Sequence, residues 1–343
     1  MNHSGAFGLP KPLAQIGLQT RHIEVLRLLG RLDVMTLAQL HTIVYAGQRS
    51  KRTVQRDLHW LEDEQLIWHT TARYAALPGQ QSKRMPPRKY PYIYGLAPAG
   101  KAVLESLGVE PDARTLDNLK MHEGRSRRGA AATLAHALLV SWWCSSVLLA
   151  VQRSPICQDI FVQAEYVTHE RQRLDALVVL RLTPQQPQAQ ETGSIPWSDG
   201  RPCPPDALEI RLGLEVDRGT EPLSVLAGKA TVTQELQRTG LYHNLLGGPI
   251  RTVFLVPNRN RAAKISAEWR NVWPATWGCI STPQACEHPQ YGTLWGDYRS
   301  LRDGKQAVNL VSDLVEGADG RVRSRAQIAL EQWAALHAAD SPP

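Results

Sequence analysis

The sequence predicts an α+β protein in two parts: a small basic domain of helices and a hairpin, then a larger α/β domain. Three observations lead there. At 343 residues the chain is long enough for two cores. Residues 1–130 hold nineteen Lys and Arg against eleven Asp and Glu, a net +8, while the rest hold twenty against twenty-one, a net −1. Apolar residues recur at helical spacing in the first third, whereas Val-, Ile- and Leu-rich runs of strand length dominate after residue 160.

Residues 1–17 contain Gly and Pro and read as a loose arm. A helix is expected over Arg21–Arg31, with Thr20 as N-cap and Ile23, Leu26 and Leu29 on one face. Thr36 caps a second helix carrying Leu37, Leu40 and Ile43, and Gly47 ends it. A third starts near Ser50, with Val54, Leu58 and Leu61 as its buried stripe; Lys51, Arg52, Gln55 and Arg56 lie off that stripe. A strand-like stretch, Leu66–Tyr74, leads into a basic, Pro-rich loop over 79–89 with Lys83, Arg84, Arg88 and Lys89. Tyr90–Leu96 reads as the return strand and Pro98–Leu107 as a closing helix. Residues 109–128 are polar and without apolar period, as in a linker.

The second part opens with a long Ala- and Leu-rich helix, Ala130–Gln152. Strands follow over Ile160–Val167, Arg173–Leu182 and Leu208–Asp217. Between the last two lies an insert, 184–206, rich in Pro, Gln and Ser. A helix over Glu221–Gln237, capped by Thr220 and with Pro222 in its first turn, precedes a buried-type strand, Arg251–Pro257. Asn258 opens another helix; a short strand near Gly278–Ser281 and a terminal helix, Ser324–Ala338, complete the order. The division is 1–17, 18–108, 109–128, 129–290 and an extension, 291–343.

Several classes are disfavoured. No run of 18 apolar residues occurs, so neither a membrane span nor a membrane partner is expected. The first residues lack the pattern of a signal peptide. Five scattered cysteines form neither a disulfide framework nor a zinc pattern, which suggests the reducing cytoplasm. No P-loop, dinucleotide fingerprint, nucleophile elbow or H-E-x-x-H is present.

Two constellations carry chemistry. On the third helix, Arg52, Gln55 and Arg56 could reach base edges in the major groove of double-stranded DNA, while Ser50 and Lys51 hold phosphates. The plainer alternative is a solvated basic face. The loop with Lys83, Arg84, Arg88 and Lys89 suits a backbone or minor-groove contact, or is simply flexible. The second constellation is Asp175 on one strand and Glu215 and Asp217 at the end of the next, the latter two expected on one sheet face. Three such carboxylates suit Mg²⁺ or Mn²⁺. Glu165 could add a fourth oxygen, and Lys229 could reach back into the site. Alternatively, Asp217 caps a turn. His136, Trp142 and Trp143 on the long helix read as packing or hinge residues.

Over residues 18–108 the plan of three helices, hairpin and closing helix resembles a winged helix-turn-helix DNA-binding domain. The order α-β-β-β-α-β-α with its acids resembles the restriction-endonuclease-like, PD-(D/E)xK nuclease core. That resemblance implies Asp175 and Glu215 as metal ligands and a catalytic lysine. Asp217 stands where the lysine is usual, so Lys229 is the candidate migrated lysine. Together, the helical domain and the stretch Glu215–Glu221 with Lys229 resemble the replication-relaxation family over residues 18–260. An aromatic expected a few residues after the lysine is missing near Thr233. The family implies DNA binding in plasmid replication, relaxation or transfer, and other replication or mobilisation proteins as partners. A homodimer reading two half-sites would fit. The competing expectation is a non-enzymatic transcriptional regulator that dimerises or binds an effector through its second domain.

Overall fold

The computed structural model describes residues 17–45, 49–71, 92–109, 111, 127–152, 157–169, 172–182, 208–219, 221–257 and 259–272, and the backbone of five short strands beyond 277. The chain divides into two compact units: residues 1–75 with 84–137, and residues 76–83 with 138–343.

The first unit begins with α1 (Thr20–Leu32). Gln19, not Thr20, precedes the helix, and its N–H donates to His22 Nδ1 at 3.3 Å. That bond caps the first turn from inside the helix, so no Thr20 hydroxyl cap is required. A short strand, β1 (Val34–Thr36), leads directly into α2 (Leu37–Ile43). Thr36 caps α2 as expected: Gln39 N–H donates to Thr36 Oγ1 at 3.3 Å, and Thr36 N–H to Gln39 Oε1 at 2.6 Å. Ser50 caps α3 (Lys51–Asp63), accepting Thr53 N–H at 3.1 Å. Val54, Leu58 and Leu61 are fully buried.

β2 (Ile67–Thr71) and β3 (Tyr92–Leu96) pair antiparallel, and β1 adds to β3, giving the order β1-β3-β2. The sequence pattern missed β1 because three residues cannot display an alternation. The closing helix is α4 (Pro98–Ser106). Gly100 of α4 lies against the residue that precedes β2: a Cβ there would lie 2.1 Å from the Leu66 carbonyl oxygen. The basic loop with Lys83, Arg84, Arg88 and Lys89 falls outside the described residues.

The second unit receives most of α5 (Arg127–Gln152), the division falling between Ala137 and Leu138 within this continuous helix. Its window Ala132–Leu149 is long and apolar enough to cross a membrane by composition alone, but 61% of it is buried in the fold. β4 (Cys157–His169), β5 (Gln172–Leu182) and β6 (Leu208–Val216) form an antiparallel meander. After β6 come α6 (Leu223–Arg238) and α7 (Leu241–Leu246), then β7 (Ile250–Leu255), parallel to β6. α6 starts two residues later than expected, with Pro222 at its cap; Thr220 lies outside the described residues. α7 was not foreseen; it is bracketed by the left-handed glycines Gly240 (φ 72°) and Gly247 (φ 77°).

α8 (Arg259–Val272) follows, then β8 (Gly278–Ser281) parallel to β7, β9 (Leu294–Asp297) and β10 (Val308–Asn309). The seven strands run in the order β10-β9-β8-β7-β6-β5-β4. β11 (Leu314–Glu316) and β12 (Val322–Ser324) make a separate pair. Ser324 therefore closes a strand instead of opening the expected terminal helix, the rest of which lies outside the described residues.

Two apolar clusters fix α6. One joins Leu226 and Ala230 to Phe254, Ile265 and Trp269; the Phe254 and Trp269 rings meet edge to face at 4.9 Å. The other joins Leu236 to Leu177, Val179, Tyr242 and Ile250. Burial of this kind holds the helix that carries Lys229 at a fixed height over the sheet.

Candidate functional sites

The first site is the exposed face of α3. Ser50, Lys51, Arg52, Gln55 and Arg56 are all exposed, and the opposite face is core. That split follows from the helical period: Val54, Leu58 and Leu61 recur every three or four residues. Asp57 fixes α3 from the buried side. Arg21 Nε donates to Asp57 Oδ2 at 2.6 Å, and Tyr45 OH donates to the same oxygen at 3.3 Å. Burial pushes the Asp57 carboxyl up, but Arg21 outweighs it and holds the group below its ordinary range. His22 stacks on Trp60 with ring centroids 4.7 Å apart. Helix α3 is thus fastened to α1 and to the end of α2, and its basic face is left open.

The second site lies on β4, β5 and β6. The pairs Ala164↔Ala176 and Tyr166↔Leu174 flank Glu165 and Asp175, and the pair Ala176↔Leu214 sets Asp175 beside Glu215 at the next step. Residues directly opposite in antiparallel strands share a face, so the register places Glu165, Asp175 and Glu215 in a row across three strands. Asp175 Oδ2 accepts the Val216 N–H at 2.6 Å. Glu165 has φ 55°, a left-handed backbone that costs a non-glycine residue on the order of 1–3 kcal/mol. Its carboxylate pairs with Arg173. His136, Glu165 and Asp175 each offer a ligand atom, all within 4.8 Å of one another.

Lys229 completes the row from above. Its Nζ lies 2.8 Å from Glu215 Oε2 and 3.3 Å from Glu221 Oε2. Burial, then the neighbouring Asp175, push the Glu215 carboxyl up to about 7 against the pull of Lys229. Burial draws the Lys229 amine down, but Glu215, Glu221 and Asp175 outweigh it and hold the amine above its ordinary range. The ion pair favours both charges; at Glu215, whose side chain is 7% exposed, burial and Asp175 outweigh it, whereas at Lys229, 37% exposed, the carboxylates prevail.

In place of the shared face expected for Glu215 and Asp217, the structure gives Asp217 other partners. β6 ends at Val216, so the alternation stops before Asp217. The Asp217 N–H donates to the Leu255 carbonyl at 3.0 Å; its carboxylate accepts Gly219 N–H at 2.9 Å and Arg261 Nε at 2.5 Å. Asp217 is a turn-former and an ion-pair partner, the alternative the sequence left open.

Sequence reasoning quoted Glu221 within the stretch Glu215–Glu221 but gave it no role at the site, and it passed over Arg261; the contacts of both depend on a turn and a helix brought together by the fold. His136, read as a packing or hinge residue, belongs to the group with Glu165 and Asp175 that could hold a metal ion. Six residues further along β5, Arg181 is fully buried and pairs with Asp159 at 2.7 Å and Glu209 at 2.9 Å. Arg211 also pairs with Glu209. This second charge cluster is internally matched and holds the other end of the meander.

The fold and its acid–lysine row define an α+β protein with one candidate metal-binding group of His136, Glu165 and Asp175 among the described residues. The family model for replication-relaxation proteins matches residues 26–248, and the chain belongs to that family. Comparison with curated proteins and with solved structures returns no significant match.

Proposed function

We propose that this chain is a DNA-binding protein of a plasmid or other mobile element, with a first unit of winged-helix type and a nuclease-like second unit that hydrolyses a phosphodiester bond with a divalent cation. The observation that carries the reading is Lys229 Nζ at 2.8 Å from Glu215 Oε2, in a row with Asp175. An acid–acid–lysine set at adjacent strand ends suits phosphoryl chemistry, where positioning and charge stabilisation dominate. The mixed sheet, with β4-β5-β6 antiparallel and β7 parallel to β6, is compatible with a nuclease-like core.

The donor set fits Mg²⁺ or Mn²⁺. Asp175 and Glu165 supply hard carboxylate oxygens beside the His136 nitrogen, which Mn²⁺ tolerates better than Mg²⁺, and the strand register would bring Glu215 in next to Asp175. When bound, the cation would polarise the scissile phosphate and lower the pKa of a water. Lys229 would neutralise charge growing on the phosphate oxygens. Asp175 is anchored through Oδ2 on the Val216 N–H, which would leave its other oxygen for the cation. The exposed side chains of α3 would hold duplex DNA, Ser50 and Lys51 on phosphates and Arg52, Gln55 and Arg56 on bases. The cytoplasm, a homodimer and contacts with other replication or mobilisation proteins belong to the same reading.

The test is incubation with supercoiled plasmid and Mg²⁺ or Mn²⁺, wild type beside Glu215→Ala. Conversion to open-circle or linear DNA by wild type alone is expected. One observation favours a second reading: Asp217 fills the usual lysine position and is bound to Arg261. Retarded but intact plasmid in both lanes would make the protein a non-enzymatic regulator.

A further inference from the structure

Lys229 has two carboxylate partners in different settings. Glu215 is 7% exposed at the end of β6; Glu221 is 38% exposed, two residues before α6. Side chains on a helix lean toward its N-terminus, so the amine of Lys229 reaches back past the start of α6 to both. A lysine there opposes the helix dipole, and two carboxylates offset that.

Glu221 is held where it is by Arg261. The guanidinium donates to the Asp217 carboxylate and, through Nη2, to the Glu221 carbonyl, each at 2.5 Å. The Gly219 N–H to Asp217 bond tightens the same turn. Glu221 Oε2 is itself shielded from water and accepts no hydrogen bond, although it lies in ion-pair range of Lys229. An oxygen so placed has spare capacity for the ammonium.

We infer that Glu221 is a positioning residue for Lys229: a second seat that keeps the ammonium at the site once Glu215 engages a divalent cation. The inference rests on the metal-dependent reading above. A cation on Glu215 competes for that carboxylate and repels the ammonium. With Glu215 as sole partner, a lysine 37% exposed would swing into water. Glu221, on a turn pinned by Arg261, retains it. This also gives a reason for the acid at 217: it holds the arginine that holds the turn.

The test uses the full chain and a double-mutant cycle of Glu221→Gln and Lys229→Met, the methionine keeping the apolar stem. Urea unfolding is measured with EDTA and with Mn²⁺, Mn²⁺ binding by calorimetry, and plasmid cleavage under saturating Mn²⁺. Glu221→Gln is expected to lower kcat about tenfold, within the range of coupled neighbours. KM for DNA and Mn²⁺ affinity should stay within about twofold, and the loss should vanish in Lys229→Met. The unfolding midpoints should be non-additive, more so with Mn²⁺ than with EDTA. Additive midpoints in both conditions would overturn the inference while leaving the metal site standing. A tenfold loss of Mn²⁺ affinity in Glu221→Gln would make Glu221 a ligand and overturn it too. A wild type that binds no Mn²⁺ would sink the metal-dependent reading, and this inference with it.

Discussion

Replacing Glu215 by Gln should make the metal-free protein more stable at pH 8. The carboxyl is buried, faces Asp175 across the strand pair, and is pushed from 4.5 to about 7. In the unfolded chain it returns to 4.5. The folded state therefore holds this proton more tightly than the unfolded state does. The stability it contributes is complete below about pH 4.5 and is lost as pH rises to about 7. That interval corresponds to roughly 3 kcal/mol at 1.36 kcal/mol per pH unit. Glutamine is isosteric with the protonated acid, so Glu215→Gln should match wild type near pH 4 and exceed it by roughly 3 kcal/mol at pH 8. Urea unfolding in EDTA at pH 4, 6 and 8 measures the difference. A variant less stable than wild type at pH 8 would show that the Lys229 pair outweighs burial and repulsion, and the reasoning would fail. The expected result marks Glu215 as a residue kept at a cost in stability, as functional residues often are.

Three further outcomes are expected. Lys51→Ala should weaken duplex binding and flatten its salt dependence, by a slope of about 0.9 for the lost phosphate contact, in fluorescence anisotropy across a salt series. Ser50→Ala removes the acceptor of the Thr53 N–H and should lower stability by about 1 kcal/mol, read from thermal unfolding. Gly100→Ala forces a Cβ to 2.1 Å from a backbone oxygen, and should destabilise the first unit by about 1–3 kcal/mol or more, measured by denaturant unfolding.

Local signals were legible where the physics is local. The cap Thr36, the start of α3 near Ser50, the stripe Val54, Leu58 and Leu61, and the strands bearing Asp175 and Glu215 all follow from spacing and residue type. The reach of Lys229 to Glu215 was a question the sequence could pose but not answer. It depends on where α6 starts and how it leans, and Pro222 moved that start by two residues. Asp217 was misplaced because period-two alternation was carried one residue past the end of β6. His136, Arg261 and Arg181 were unreadable for a different reason: their partners lie in other elements, tens of residues away along the chain, and only pairing and packing bring them near. β1 and α7 were too short to show a period.

The row of Glu165, Asp175 and Glu215 exists in a single alignment of its strands. Seven consecutive pairs, from Ala176↔Leu214 to Leu182↔Leu208, hold β5 against β6. A slide of one residue would turn Asp175 to the opposite face and dissolve the row. The pairing of β5 with β6 is thus the frame on which the acids meet, so a change that shifts that register would part them without altering any one of them.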